Sequence, residues 1–124
     1  MNKKALIEFL IQHFEDMKPT AAADERVAIE RQILMLRFLP NKDLSVDDVI
    51  VPSALVKVRT ANTESYVFMV PSGGALVTSF CQKPVQVLTP DSPLGDALVG
   101  KKAGEVAVVQ MGKHVREYQV LELI

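Results

Sequence analysis

The residues able to do chemistry in this chain are few, and their spacing decides what they can do. Glu15 and Asp16 lie before the run Lys18-Pro19-Thr20-Ala21-Ala22-Ala23, and Asp24 and Glu25 follow it. Paired carboxylates suit a hard divalent cation, which takes oxygen ligands. The same four acids also suit a solvated turn between two helices, with Asp24 and Glu25 at a favourable helix N-terminus. The second reading needs no further ligand, so neither a metal nor a cofactor is expected. His13 and His114 stand apart from any serine, cysteine or second histidine, so no catalytic triad can be drawn and no catalytic residue is assigned. Gly73-Gly74 lacks the following lysine of a phosphate-binding loop and is taken as a turn. Cys81, the single cysteine, sits among apolar neighbours and is expected to be a small buried hydrophobe.

The densest run of purposeful residues is Asp91-Ser92-Pro93-Leu94-Gly95-Asp96-Ala97-Leu98-Val99-Gly100-Lys101-Lys102. Ser92 can cap a helix by accepting an orphan backbone N–H, and Pro93 already has the φ of a first helical position. Gly100 can supply the left-handed exit, with Lys101 and Lys102 against the negative helix end. Capping needs Ser92 and Pro93 but not Asp91 as well, which in such a cap can do no more than complement the helix dipole. After Gly104 the pattern predicts a β-hairpin, Glu105 to Met111 and Val115 to Ile124, broken by Gly112-Lys113-His114.

Composition limits the remaining options. The chain has 124 residues, 48% of them hydrophobic, enough for a real core without staples. One cysteine excludes an internal disulfide framework, and with no recognisable signal peptide the expectation is a cytoplasmic protein. The apolar stretch from Ala5 to Phe14 is broken by Glu8, Gln12 and His13 and is too short to span a membrane. Net charge is −1, and residues 1–40 carry six basic and six acidic side chains. No basic stripe is present, so direct binding to nucleic acid is not expected.

The elements that must carry these residues fall into two sets. Leu6, Leu10, Phe14 and Met17 recur at helical spacing, and a second helix is expected from about Ala21 to Phe38 with Ala22, Val27, Ile29, Ile33, Leu34 and Leu36 as its apolar face. Pro19 and Pro40 stop the two helices. So short a connection predicts an antiparallel helical hairpin over 1–40 whose arms, about fifteen residues each, span about 22 Å. Residues 41–48 are polar and are expected to be a connector, leaving 49–124 as a second domain. Strands are expected at Val49 to Val51, Leu55 to Thr60, Ser65 to Val70, Ala75 to Phe80 and Val85 to Leu88, with breaks at Asn62-Thr63-Glu64, Ser72-Gly73-Gly74 and Lys83-Pro84. With the final hairpin this is an α+β chain: a strongly bent antiparallel sheet with one short helix.

The Ser-Pro-Leu-Gly-x-Ala-Leu-x-Gly-Lys-Lys-x-Gly-Glu-Val run, the ending Glu117-Tyr118-Gln119-Val120-Leu121-Glu122-Leu123, and the segments Val51 to Val58 and Glu64 to Pro71 resemble the C-terminal domain of the bacterial Gre transcript-cleavage factors. The layout is closest to their relative, the regulator of nucleoside diphosphate kinase. The resemblance covers roughly Val49 to Ile124. It implies the fold of the FK506-binding proteins and docking on bacterial RNA polymerase at the rim of its secondary channel. It also implies that Asp91 faces a basic or amide group there, while Ser92 and Pro93 shape the contact. In Gre factors acids at the tip of a long helical hairpin help hold a catalytic metal. Here the family's Gly-Asp-Leu-x-Glu-Asn tip is absent, and reaching a polymerase active site takes about 45 Å, some thirty residues per helix. Glu15, Asp16, Asp24 and Glu25 are therefore carried only as tip acids, and no enzymatic activity is expected.

Two other readings compete. The fold implies comparison with prolyl isomerases, but no tryptophan is present, and Tyr66 and Phe68, on one strand face, suit a core better than a ligand cup. Phe9, Leu10, Ile11, Phe14, Ile33, Leu34 and Phe38 exceed what two short helices bury between them, which predicts packing elsewhere or a homo-oligomer through the hairpin.

Overall fold

The computed structural model describes residues 1–40, 42–73 and 76–124. The expected connector start at Asn41, and Gly74 and Ala75 of the expected turn and strand, lie outside the described residues. The chain divides into two compact units, 1–41 and 42–124.

In the first unit α1 (Lys3–Met17) begins where the Asn2 side chain accepts the Ala5 N–H at 2.9 Å, capping one of the orphan donors of the first turn. Pro19 cannot donate to a continuing helix, and the chain tightens into a 3₁₀ turn at Lys18–Thr20. The second helix, α2 (Ala23–Arg37), has no side-chain cap, but Asp24 and Glu25 complement its dipole. Leu6, Ile7 and Leu10 of α1 and Ile29, Ile33 and Leu36 of α2 are buried. Val27 and Leu34, expected on the apolar face, are exposed. Two ion pairs show which parts of the helices meet: Lys18 Nζ to Glu30 at 3.9 Å and Arg37 to Glu15 at 3.4 Å. A flush hairpin would set Lys18 level with the start of α2. Here the last turn of α1 lies beside the C-terminal half of α2, and residues 22–28 are all exposed.

The second unit is a six-stranded sheet in the order β3-β4-β2-β1-β6-β5, with a short helix α3 (Pro93–Leu98). Its strands are β1 (Leu55–Thr60), β2 (Thr63–Met69), β3 (Leu76–Phe80), β4 (Lys83–Leu88), β5 (Val106–Met111) and β6 (His114–Leu123). The α+β class is as expected, but the sheet is mixed: β2 and β4 run parallel, Tyr66 against Val85 and Met69 against Leu88. The β3–β4 hairpin folds back so that its second strand, not its first, joins β2. Expected Val49 to Val51 is no strand; Ile50 instead exchanges backbone bonds with Gly100 and Lys101 at 2.8 and 2.9 Å, and Ser53 turns the chain at φ 93.

Three two-residue turns set the registers. Ala61-Asn62 and Cys81-Gln82 have positive φ at both residues, and Gly112 has φ 65 at the first position of the β5–β6 turn. His114 thus opens β6 and does not extend the turn, and Lys83-Pro84 begins β4 and does not break it. Cys81 is exposed, against expectation, because the turn holds it outside the pleat. Val56, Val58, Val67, Met69, Leu88, Leu94, Leu98, Ala107, Val109, Val120 and Leu123 form the core between the sheet and α3. Tyr66 and Phe68, on the opposite face of β2, are also buried. Among the described residues no helix is long and apolar enough to cross a membrane.

Candidate partner-binding site

The site is built around the entrance to α3. Ser92 Oγ accepts the Gly95 N–H at 3.1 Å and donates to the Thr89 carbonyl at 2.8 Å, while the Ser92 N–H reaches the same carbonyl at 3.1 Å. One hydroxyl thus caps the helix and ties it back to the end of β4. Pro93 fills the first helical position, and the chain leaves through Gly100 at φ 83. The Gly100 N–H then bonds Ile50. A Cβ on Gly95 would lie 1.9 Å from the Thr89 oxygen, so only glycine permits this approach. Sequence reasoning missed Gly95, because its constraint comes from a carbonyl six residues upstream and not from its own φ.

This bracing leaves Asp91 and Pro93 exposed and Ser92 half-buried. Beside them opens a concavity of about 290 Å³ between α3 and the sheet. Leu88, Leu94, Val109 and Met111 line its apolar part, with Tyr118 and Arg116 at the polar side. A carboxylate, a proline ring and an apolar hollow with a guanidinium thus share one surface. Such a surface can hold an apolar side chain and pair with charges of both signs around it, and the arrangement needs no reacting group.

The tip acids are not assembled. Glu15 pairs with Lys18 at 3.6 Å and with Arg37, and Asp16 accepts the Gln12 amide at 2.8 Å. Asp24 and Glu25 are exposed on the first turn of α2. Among the described residues no three His, Cys, Asp or Glu side chains lie close enough to hold a metal ion. A separate ionic cluster lies on the β1–β2 hairpin, where Glu64 bonds Arg59 at 2.8 Å and Lys57 at 3.2 Å. The hydrogen bonds from Arg59 and then Lys57 hold the Glu64 carboxyl below the usual range, and Glu64 in turn raises Lys57.

The family domain described as "Transcription elongation factor, GreA/GreB, C-term" matches residues 46–124, which include the whole α3 site and the sheet. The chain belongs to the GreA/GreB family. Among similar proteins, the transcription elongation factor GreA of Clostridium botulinum is 27% identical over 115 residues, spanning 88% of this chain and 69% of that protein. GreA of Streptococcus suis is 28% identical over 116 residues, with 88% and 69% covered. A solved structure of the transcription factor Gfh1 superposes with a TM-score of 0.50 at 18% identity, over 98% of this chain and 85% of that one, a likeness of fold. This Gre-family chain is thus a transcription elongation factor by descent, carrying the family's C-terminal domain.

Proposed function

We propose that this Gre-family chain docks on bacterial RNA polymerase at the rim helices of the secondary channel through Asp91, Ser92 and Pro93, without enzymatic activity of its own. The observation that carries the reading is the exposure of Asp91 and Pro93 on a loop locked by Ser92 and Gly95, next to an apolar hollow. A rigid loop loses little entropy on binding, so its contacts count toward affinity. Asp91 pairs with a basic or amide group of the partner, Pro93 supplies an apolar edge, and Ser92 keeps the geometry. The work is steric: occupying the mouth of the channel and competing with cleavage factors in proportion to abundance and affinity.

Glu15, Asp16, Asp24 and Glu25 take no part in metal chemistry in this reading, since two of them are engaged by neighbouring side chains. The proposal divides the work between a helical part, residues 1–40, and the docking domain, 49–124, joined by 41–48. The test is a polymerase pull-down with Asp91→Arg. Binding falls to background while the melting temperature stays unchanged; retained binding sinks the proposal. Exposed Val27 and Leu34 on α2, with Phe38 just beyond its end, favour a second reading, self-association through the helical pair, for which Leu34→Arg must lower a concentration-dependent mass.

A further inference from the structure

We propose that the free edge of β5 is a self-pairing surface, on which two copies of this chain join antiparallel β5 strands about a two-fold axis at Val108. Among the described residues β5 is terminal in the sheet order and pairs with β6 alone. The two-residue turn closing at Met111 and His114 fixes which backbone groups are spent. Met111, Val109 and Ala107 bond across to β6, and the Glu105 carbonyl continues the same parity by accepting the Val120 N–H at 2.9 Å. Val106, Val108 and Gln110 therefore turn their N–H and C=O groups outward, away from β6.

Natural edges are commonly blunted by charge, proline or a bulge. Val106-Ala107-Val108-Val109-Gln110-Met111 contains neither charge nor proline, and its register against β6 is unbroken. Val106 and Val108 are also 44% and 56% exposed, so the open edge carries apolar side chains as well as unpaired backbone.

The occupant follows from charge. Glu105 and Lys113 bracket the strand, one acidic and one basic, and antiparallel self-pairing brings opposite ends together. Hydrogen-bonding parity restricts the register to outward residue against outward residue. With Val108 opposite Val108 of the second copy and Val106 opposite Gln110, every outward group of the three residues is used. Glu105, one of whose carboxylate oxygens accepts the Lys102 N–H at 2.7 Å, then lies opposite Met111 of the second copy, beside the turn that carries Lys113, so its other oxygen faces a basic neighbour within reach of long side chains. The interface is isologous and closes at two copies.

Sedimentation equilibrium over about a hundredfold range of concentration tests this directly. The mass rises from 13.7 kDa toward twice that value. Val108→Pro removes one outward N–H at a position where an edge strand tolerates proline, and weakens association at least about tenfold. Glu105→Lys and Lys113→Glu each weaken it, and the double exchange restores it. In a Cys81→Ser background, Val108→Cys forms a disulfide between copies on mild oxidation, whereas Val77→Cys on β3 does not. A mass of 13.7 kDa at every concentration overturns the proposal. So does a folded Val108→Pro chain that associates as the parent does, or association that Leu34→Arg abolishes and Val108→Pro leaves intact.

Discussion

At position 95 a single methyl group decides whether the loop can exist in its present form. The 1.9 Å approach to the Thr89 oxygen would force backbone, not a flexible side chain, to move. Gly95→Ala is therefore expected to cost about 2 kcal/mol or more in urea unfolding, and to weaken polymerase binding along with it. Ser92→Ala removes a cap and costs about 1 kcal/mol in the same measurement. Asp91→Arg, by contrast, touches an exposed side chain and leaves the unfolding curve in place. The roles of Ser92, Pro93 and Gly100 were legible because capping and left-handed exits depend on residue type at fixed local offsets. Gly95 was not, since its neighbour is the carbonyl at the end of the preceding strand. Cys81 was misjudged for a similar reason: its apolar neighbours suggested burial, but a two-residue turn with positive φ turns it to solvent.

At the scale of elements, alternation and turn chemistry revealed most strands but not their order. The turns at Ala61-Asn62 and Cys81-Gln82 contain no glycine or proline, so the breaks were expected further along, at Asn62-Thr63-Glu64, which shares Asn62 with the real turn, and at Lys83-Pro84, which lies wholly beyond it. The parallel β2–β4 pair was invisible because parallel pairing depends on where a hairpin docks, not on local pattern. Both helices were legible from their spacing, whereas their stagger, which the Lys18–Glu30 and Arg37–Glu15 pairs report, was not. One electrostatic consequence belongs to the β1–β2 hairpin. The lowered Glu64 carboxyl contributes stability that is present above its unfolded value and is lost as pH falls through its folded value. The raised Lys57 contributes below its unfolded value and loses its share as pH rises through the folded one. Glu64→Gln should flatten the acid limb of a stability–pH profile. The difference from the parent should shrink in high salt, because the groups are exposed and screened.

For the whole molecule, the proposed docking and a catalytic role differ in the reach they demand. Helices of 15 residues each measure about 22 Å, half of what delivery of acids to a polymerase centre requires. Backtracked elongation complexes should therefore release no shortened RNA when this chain is added, in any divalent metal. A shortened product would refute the steric account of its action. Family membership was readable from the run around α3 because that run combines a cap, a close approach and a turn at fixed spacing. Asp91, Ser92 and Pro93, the proposed contact, could be singled out in the sequence, whereas the apolar hollow beside them, assembled from β4, α3, β5 and β6, became visible only in the folded chain.

A braced Asp91-Ser92-Pro93 loop is proposed to grip polymerase. The most direct test is competition: polymerase held with a cleavage factor, titrated with this chain and, in parallel, with Asp91→Arg. The parent chain should displace the factor and suppress cleavage in a dose-dependent way, while Asp91→Arg, equally folded, does neither. Cleavage unaffected by the parent chain at saturating concentration, or suppressed equally by both proteins, would contradict the account.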